Sequence, residues 1–349
     1  MKKILSLLFV VALFFACADD KSNKADITDA YIIDLSDGNL NYVQTSIDSE
    51  NGKIYLYFNN DLRNITFPIL LNADIKTSSG AKLSSLINGE LEFSNSDAVL
   101  STEVIAEDGT TKSWSVFLVH KQLQNSGFEN WFENMGMNGK SYKESGNSAI
   151  TSVWATANMG TSSYSVYGSK PISDGENTLV EIKTQEAGNL PITAGTIFTG
   201  IFSLADAIAN PTDPEKATLF GTPFIFRPSG FKFKFKYQAG EDYIQATLIN
   251  PTNIFGGFTI EDISGEDECT IYAFLEVRDG DQITEIARTK MESGTTEDNM
   301  TETMLTFDYT SNVNPTHITI VFSSSTGGAL WRGAVGSTLV VDDLELIYE

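Results

Sequence analysis

Phe231-Lys232-Phe233-Lys234-Phe235-Lys236-Tyr237 places four aromatic rings at every second position and a lysine at each position between them. A pleated strand sorts residues this way, because successive side chains leave opposite faces of the chain. A helix would scatter the same seven residues around its axis. The stretch therefore reads as a strand of an antiparallel sheet, with one face in a core and the other in water. Further strands are expected at Leu179 to Thr184, Ile197 to Phe202, Tyr243 to Ile249, Thr270 to Val277, Glu302 to Tyr309, Thr316 to Phe322 and Ser337 to Tyr348. That number suits a large two-sheet sandwich. Leu204-Ala205-Asp206-Ala207-Ile208-Ala209 reads as a helical turn on a long loop, stopped before Pro211.

Toward the N-terminus the period of two continues. Ile54, Leu56 and Phe58 alternate with Tyr55 and Tyr57, Ser113 to Val119 forms another run, and Asp108-Gly109 supplies a hairpin turn between two apolar stretches. Residues 26–120 read as a smaller β-sandwich. The polar connector Lys121 to Ser126 is too short to make the two units fully independent, and residues 126–349 read as one large domain. Composition agrees with an all-β protein: 22 Phe, 12 Tyr and 27 Gly stand against only 9 Pro. With 46 acidic and 23 basic residues the net charge is −23, which repels a phosphate backbone, so nucleic acid is not an expected partner.

At the start of the chain, Lys2 and Lys3 precede an apolar run from Ile4 to Ala16, then Cys17 and a polar stretch. The run is too short to span a bilayer, and residues 1–16 read as a signal peptide. They resemble a bacterial lipoprotein signal, although Phe14 and Phe15 depart from its usual small and aliphatic residues; an ordinary secretory signal is the alternative. The resemblance implies acylation at Cys17, a membrane anchor through that lipid, and a tether over residues 17–25. Asp19-Asp20-Lys21 resembles the acidic export signal of outer-membrane lipoproteins that face the cell exterior; a plain solvated tether is the other reading. Beyond Cys17 only Cys269 remains, so no internal disulfide can form, and Cys269 reads as an inert core thiol.

Two further resemblances concern the domains. Val104 to Val116 resembles the terminal hairpin of bacterial immunoglobulin-like modules, which implies a spacer role for the first sandwich. Gly127-Phe128-Glu129-Asn130-Trp131, Phe226-Arg227-Pro228-Ser229-Gly230-Phe231 and the run from Ser323 to Leu344 together resemble the family called the putative carbohydrate metabolism domain, a jelly-roll module of lipoproteins. It implies a jelly-roll fold and a glycan-linked role. The same ends are similar to jelly-roll carbohydrate-binding modules, which implies a structural Ca²⁺ on Glu129 and on Asp342 or Asp343; a capped turn and a solvated strand end are the alternatives.

Sugar recognition needs flat apolar faces with polar groups around them. Trp154, Trp331 with Arg332 beside it, Tyr164 and Tyr167 are the candidate glycan contacts, each weighed against core packing, while Trp131 reads as structural. No motif selects a carboxylate pair for glycoside hydrolysis, and Glu261-Asp262 and Glu266-Asp267-Glu268 read as solvated turns. His120 and His317 read as structural. Gly136 to Ser141 lacks the first Gly of a phosphate-binding loop, Asn134 standing in its place. The sequence thus points to a non-catalytic surface lipoprotein that captures glycan in polysaccharide utilisation. Its rivals are a structural or adhesive protein that binds a protein partner, and a carbohydrate-active hydrolase or lyase.

Overall fold

The computed structural model describes residues 21–35, 38–84, 89–210, 212–296 and 298–348. The signal peptide and Cys17 lie outside them. The architecture is all-β: two sandwiches in series, with short helical turns confined to loops.

The first sandwich packs a three-stranded sheet (Ile27–Leu35, Ile69–Thr77, Glu90–Phe93) on a five-stranded one (Tyr42–Asp48, Lys53–Phe58, Thr111–Val119, Val99–Ile105, Lys82–Leu83). Lys53–Phe58 and Thr111–Val119 run parallel; the other neighbours are antiparallel. Ile27, Leu56, Phe58, Leu71, Phe93 and Trp114 fill the space between the sheets. The Trp114 indole N–H donates to the Ala25 carbonyl at 3.2 Å, and the Ser22 carbonyl accepts the Asp108 N–H at 3.1 Å. The end of the stretch assigned to the tether is thereby laid along the sandwich.

The second sandwich is the jelly roll. One sheet has the order Ser169–Asp174, Asn177–Lys183, Thr338–Ile347, Gly230–Gln238, Thr301–Thr306. The other runs Trp154–Thr156, Thr196–Phe202, His317–Ser323, Cys269–Asp279, Gln282–Ser293, Asp308–Tyr309, with Thr218–Phe220 and Thr222–Pro223 added at its margins. Phe231, Phe233, Phe235 and Tyr237 face inward as their spacing predicts, and Phe233 meets Phe322 of the facing sheet edge-on at 5.5 Å. The lysines between them face water, where Lys232 pairs with Glu345 at 2.9 Å and Lys234 with Asp343 at 2.7 Å. Leu204–Ala209 is a helix capped by Ser203, whose Oγ accepts the Asp206 N–H.

The connector is built into the second core. Gln122 is buried; its Nε2 donates to the Leu346 carbonyl at 2.8 Å and its Oε1 accepts the Leu346 N–H at 2.7 Å, so one side chain pairs with the last strand as a neighbouring strand would. Leu123 joins the same core, and so does Tyr57 of the first sandwich. His120 is buried beside them and burial holds its imidazole down at about 4, which keeps it neutral. No helix among the described residues is long and apolar enough to cross a membrane.

Candidate functional site

The outer face of the larger sheet of the second sandwich carries a cleft of about 550 Å³. Strand register builds its floor. Thr196 lies opposite Ser323, which lies opposite Thr270; two residues further on, Phe198 lies opposite Val321, which lies opposite Tyr272. The floor is therefore a row of hydroxyls followed, about 7 Å along the strands, by an apolar row. Phe220, packed on Phe198 at 5.3 Å, extends the apolar side.

Loops raise the walls. The helix Leu204–Ala209 stands over the apolar side with Leu204 and Ile208, the latter 68% exposed. Tyr164 lies flat on Gly188, where a Cβ would approach its ring to 2.1 Å, and its hydroxyl donates to Asn189 Oδ1 at 3.3 Å. Asn189 Nδ2 in turn donates to the Ile254 carbonyl at 3.0 Å, which ties three loops together beside Phe255, 76% exposed. Trp331 closes the other side in a left-handed conformation (φ 58°), its ring edge-on to Phe258 at 5.3 Å.

A buried carboxylate holds the Trp331 loop. Asp267 Oδ2 accepts from Ser325 Oγ at 2.5 Å, Ser337 Oγ at 2.7 Å and the Ala334 N–H at 2.9 Å. Asp267 is fully buried, which corrects its reading as part of a solvated turn: four donors, the Glu268 N–H among them, replace the water it gives up. Burial still pushes its pKa above the usual range. Ser324 and Ser325 both bond Thr184, so the serine run is a brace for the loop.

Of the predicted glycan contacts, Trp331 and Tyr164 line this cleft. Trp154 does not. It is 3% exposed, packs on Phe128 at 5.0 Å and donates its indole N–H to the Gln124 carbonyl at 2.9 Å, so it offers no face to a ligand. Tyr167 stacks on Tyr142 at 5.1 Å away from the cleft lining, and Arg332 lies next to it without joining it. Thr270, Tyr272, Phe220, Phe255 and Ile208 escaped sequence reasoning. One of them left a signal: Tyr272, with Phe274 two residues on, alternates with the buried Ile271, Ala273 and Leu275, so that strand carries large side chains on both faces. Thr270 Oγ1 is buried in the cleft floor with no hydrogen-bond partner among the described residues.

The predicted metal ligands only partly converge. Asp342 is 2% exposed; one oxygen accepts from Asn177 Nδ2 at 2.7 Å and the other, Oδ1, has no partner among the described residues. Burial chiefly, with repulsion from Asp343 and Glu129, raises its pKa. Glu129 is exposed, whereas Asp343 is held by Lys234. Among the described residues no three His, Cys, Asp or Glu side chains gather as a metal site, so protein carbonyls and water would have to complete any coordination of Glu129 and Asp342. Cys269 is buried, and burial pushes its thiol up to about 12, as expected of an inert thiol.

Residues 120–347 match the family described as Putative carbohydrate metabolism domain. The chain belongs to that family. The match covers the whole jelly roll and the connector before it. No curated protein matches the chain. A crystal structure of a putative glycoside hydrolase from Bacteroides thetaiotaomicron is 23% identical, with a TM-score of 0.53 over 92% of this chain and 97% of its own. A second putative glycoside hydrolase, from Bacteroides vulgatus, is also 23% identical, with a TM-score of 0.51 over 64% of this chain and 97% of its own. These likenesses place the family domain in a shared fold.

Proposed function

We propose that the family domain binds carbohydrate, without catalysis, in the cleft on its larger sheet. The observation that carries this is that Trp331 and Tyr164 line the same cleft as the hydroxyl row Thr196, Ser323 and Thr270 of its floor. Aromatic faces cover the C–H surface of a pyranose, and hydroxyl side chains answer its hydroxyls. The hydrolase reading suggested by the two Bacteroides proteins needs two carboxylates flanking the bond. Among the described residues Glu215 is the charged group in the cleft lining, which favours capture over cleavage.

In this reading acylated Cys17 anchors the protein at the outer membrane, facing the exterior, and the immunoglobulin-like first sandwich holds the cleft away from the lipid for polysaccharide utilisation. Residues 18–349 are expected to bind at least one ligand class on a glycan array, with Trp331→Ala lowering affinity about tenfold or more and no new reducing ends in product analysis. Reducing ends would establish an enzyme. Binding unaffected by Trp331→Ala would remove the cleft as the site.

A Ca²⁺ between Glu129 and Asp342 fits the orphaned Asp342 oxygen. Added Ca²⁺ is then expected to raise the melting temperature of the EDTA-treated protein, and Asp342→Asn to abolish that rise. A second functional reading, capture of a protein partner, draws on Ile249, Phe255, Ile260 and Leu330, four large apolar side chains left exposed around the small sheet formed by Tyr243–Leu248, Phe258–Asp262 and Arg332–Ala334. An array without hits would favour it.

A further inference from the structure

The cleft is divided along its length, and the division defines a ligand more narrowly than "carbohydrate". At one end lie Thr196, Ser323 and Thr270, in the cleft that Trp331 also lines. At the other, Phe198, Val321 and Tyr272 form the floor and Phe220, Leu204 and Ile208 surround it. A free oligosaccharide lying across both ends would press hydroxyls against the aromatic row, where each unanswered hydroxyl costs about 1–3 kcal/mol. An alkane would do the reverse: it would leave Thr270 Oγ1, already buried and without a partner among the described residues, unanswered. Charge adds a constraint. Glu215 is the charged side chain among the described lining residues, and no lysine or arginine there awaits a carboxylate or phosphate.

We propose, resting on the carbohydrate reading above, that the cleft takes a neutral glycoside bearing an apolar substituent such as an alkyl, acyl or aryl group. The sugar sits on the hydroxyl row beside Trp331, and the substituent lies along the Phe198–Val321–Tyr272 row beneath the helix Leu204–Ala209. The volume of about 550 Å³ suits such an occupant, being within the range of pockets that enclose drug-sized ligands.

The test is calorimetric titration of residues 18–349 with methyl, hexyl and octyl β-glucosides and β-galactosides below their micelle concentrations, and with 1-octanol. Affinity is expected to rise up to about fourfold per methylene that enters the apolar end, and the octyl glycoside to bind at least tenfold tighter than octanol. Ile208→Ser changes an exposed side chain and leaves the fold intact; it should weaken octyl glycoside binding about fivefold and leave the methyl glycoside unchanged. Thr270→Val keeps the shape of the floor and should weaken all glycosides alike.

A flat series from methyl to octyl overturns the proposal; if array oligosaccharides still bind, glycan capture survives it. Octanol binding as tightly as the octyl glycoside overturns both, because the site would then read the chain alone. Absence of binding by every member also overturns the proposal.

Discussion

Phe233→Ala is expected to destabilise the second sandwich by about 3–5 kcal/mol, lowering its melting transition by on the order of 10 °C. Phe233 is fully buried near the middle of Gly230–Gln238, an interior strand of its sheet. Its ring touches Phe231 at 5.4 Å and Phe235 at 5.7 Å on its own strand and Phe322 at 5.5 Å on the facing sheet. Truncation removes the ring that joins the two sheets, and neither can move in to fill the space, because hydrogen bonds to the strands on either side hold Gly230–Gln238 in place. Lys234→Ala, one residue along on the wet face, serves as the control. It loses an exposed ion pair and should change stability by less than about 1 kcal/mol. Differential scanning calorimetry of the two variants separates these outcomes; equal effects would mean that the alternation does not divide core from solvent.

Glu144→Gln should stabilise the protein at pH 8 by about 3 kcal/mol and leave it unchanged at pH 4. Burial raises the Glu144 carboxyl from 4.5 to about 7, against the opposing hydrogen bonds of Thr156 and Tyr142. Thr156 Oγ1 donates to Oε1 at 2.8 Å, while Oε2 is buried with no partner among the described residues. The sign follows from proton binding. Between pH 4.5 and 7 the unfolded chain has released this proton and the folded chain retains it, so stability falls as pH rises through that window and levels off above it. Glutamine cannot ionise, so the variant loses this contribution while the other titrating groups, His120 among them, keep theirs in both proteins. Urea titrations at pH 4, 6 and 8 measure the difference between the two proteins. A difference that does not grow with pH would place the Glu144 pKa in the ordinary carboxylate range.

Strands with one wet face were legible because alternation writes burial directly into sequence. Gly230–Gln238 and Thr338–Ile347 lie within a residue or so of their expected bounds. Gln282–Ser293, the longest strand among the described residues, was missed for the complementary reason: Ile286 and Ala287 alone are buried, so Thr, Glu, Arg and Lys dominate it and no period emerges. The candidate site was less legible still. Trp154 and Trp331 have similar small and polar neighbours in sequence, and what separates them is distant chain: Phe128 and Gln124 enclose the first, while Phe258 and the Asp267 brace present the second. The cleft itself follows from cross-strand register, which pairs Thr196 with Ser323 and Ser323 with Thr270 over separations that no local pattern encodes.

The two hydrogen bonds between Gln122 and Leu346 bear on how this jelly roll could be inherited or transplanted. A segment copied from residue 126 onward would carry the last strand but leave behind the side chain that finishes it, with the Leu346 N–H and carbonyl bare. The portable unit in gene rearrangement therefore begins at about residue 120, where the family match also begins. Here the first sandwich meets that unit through Tyr57, which shares a core with Leu123 of the connector.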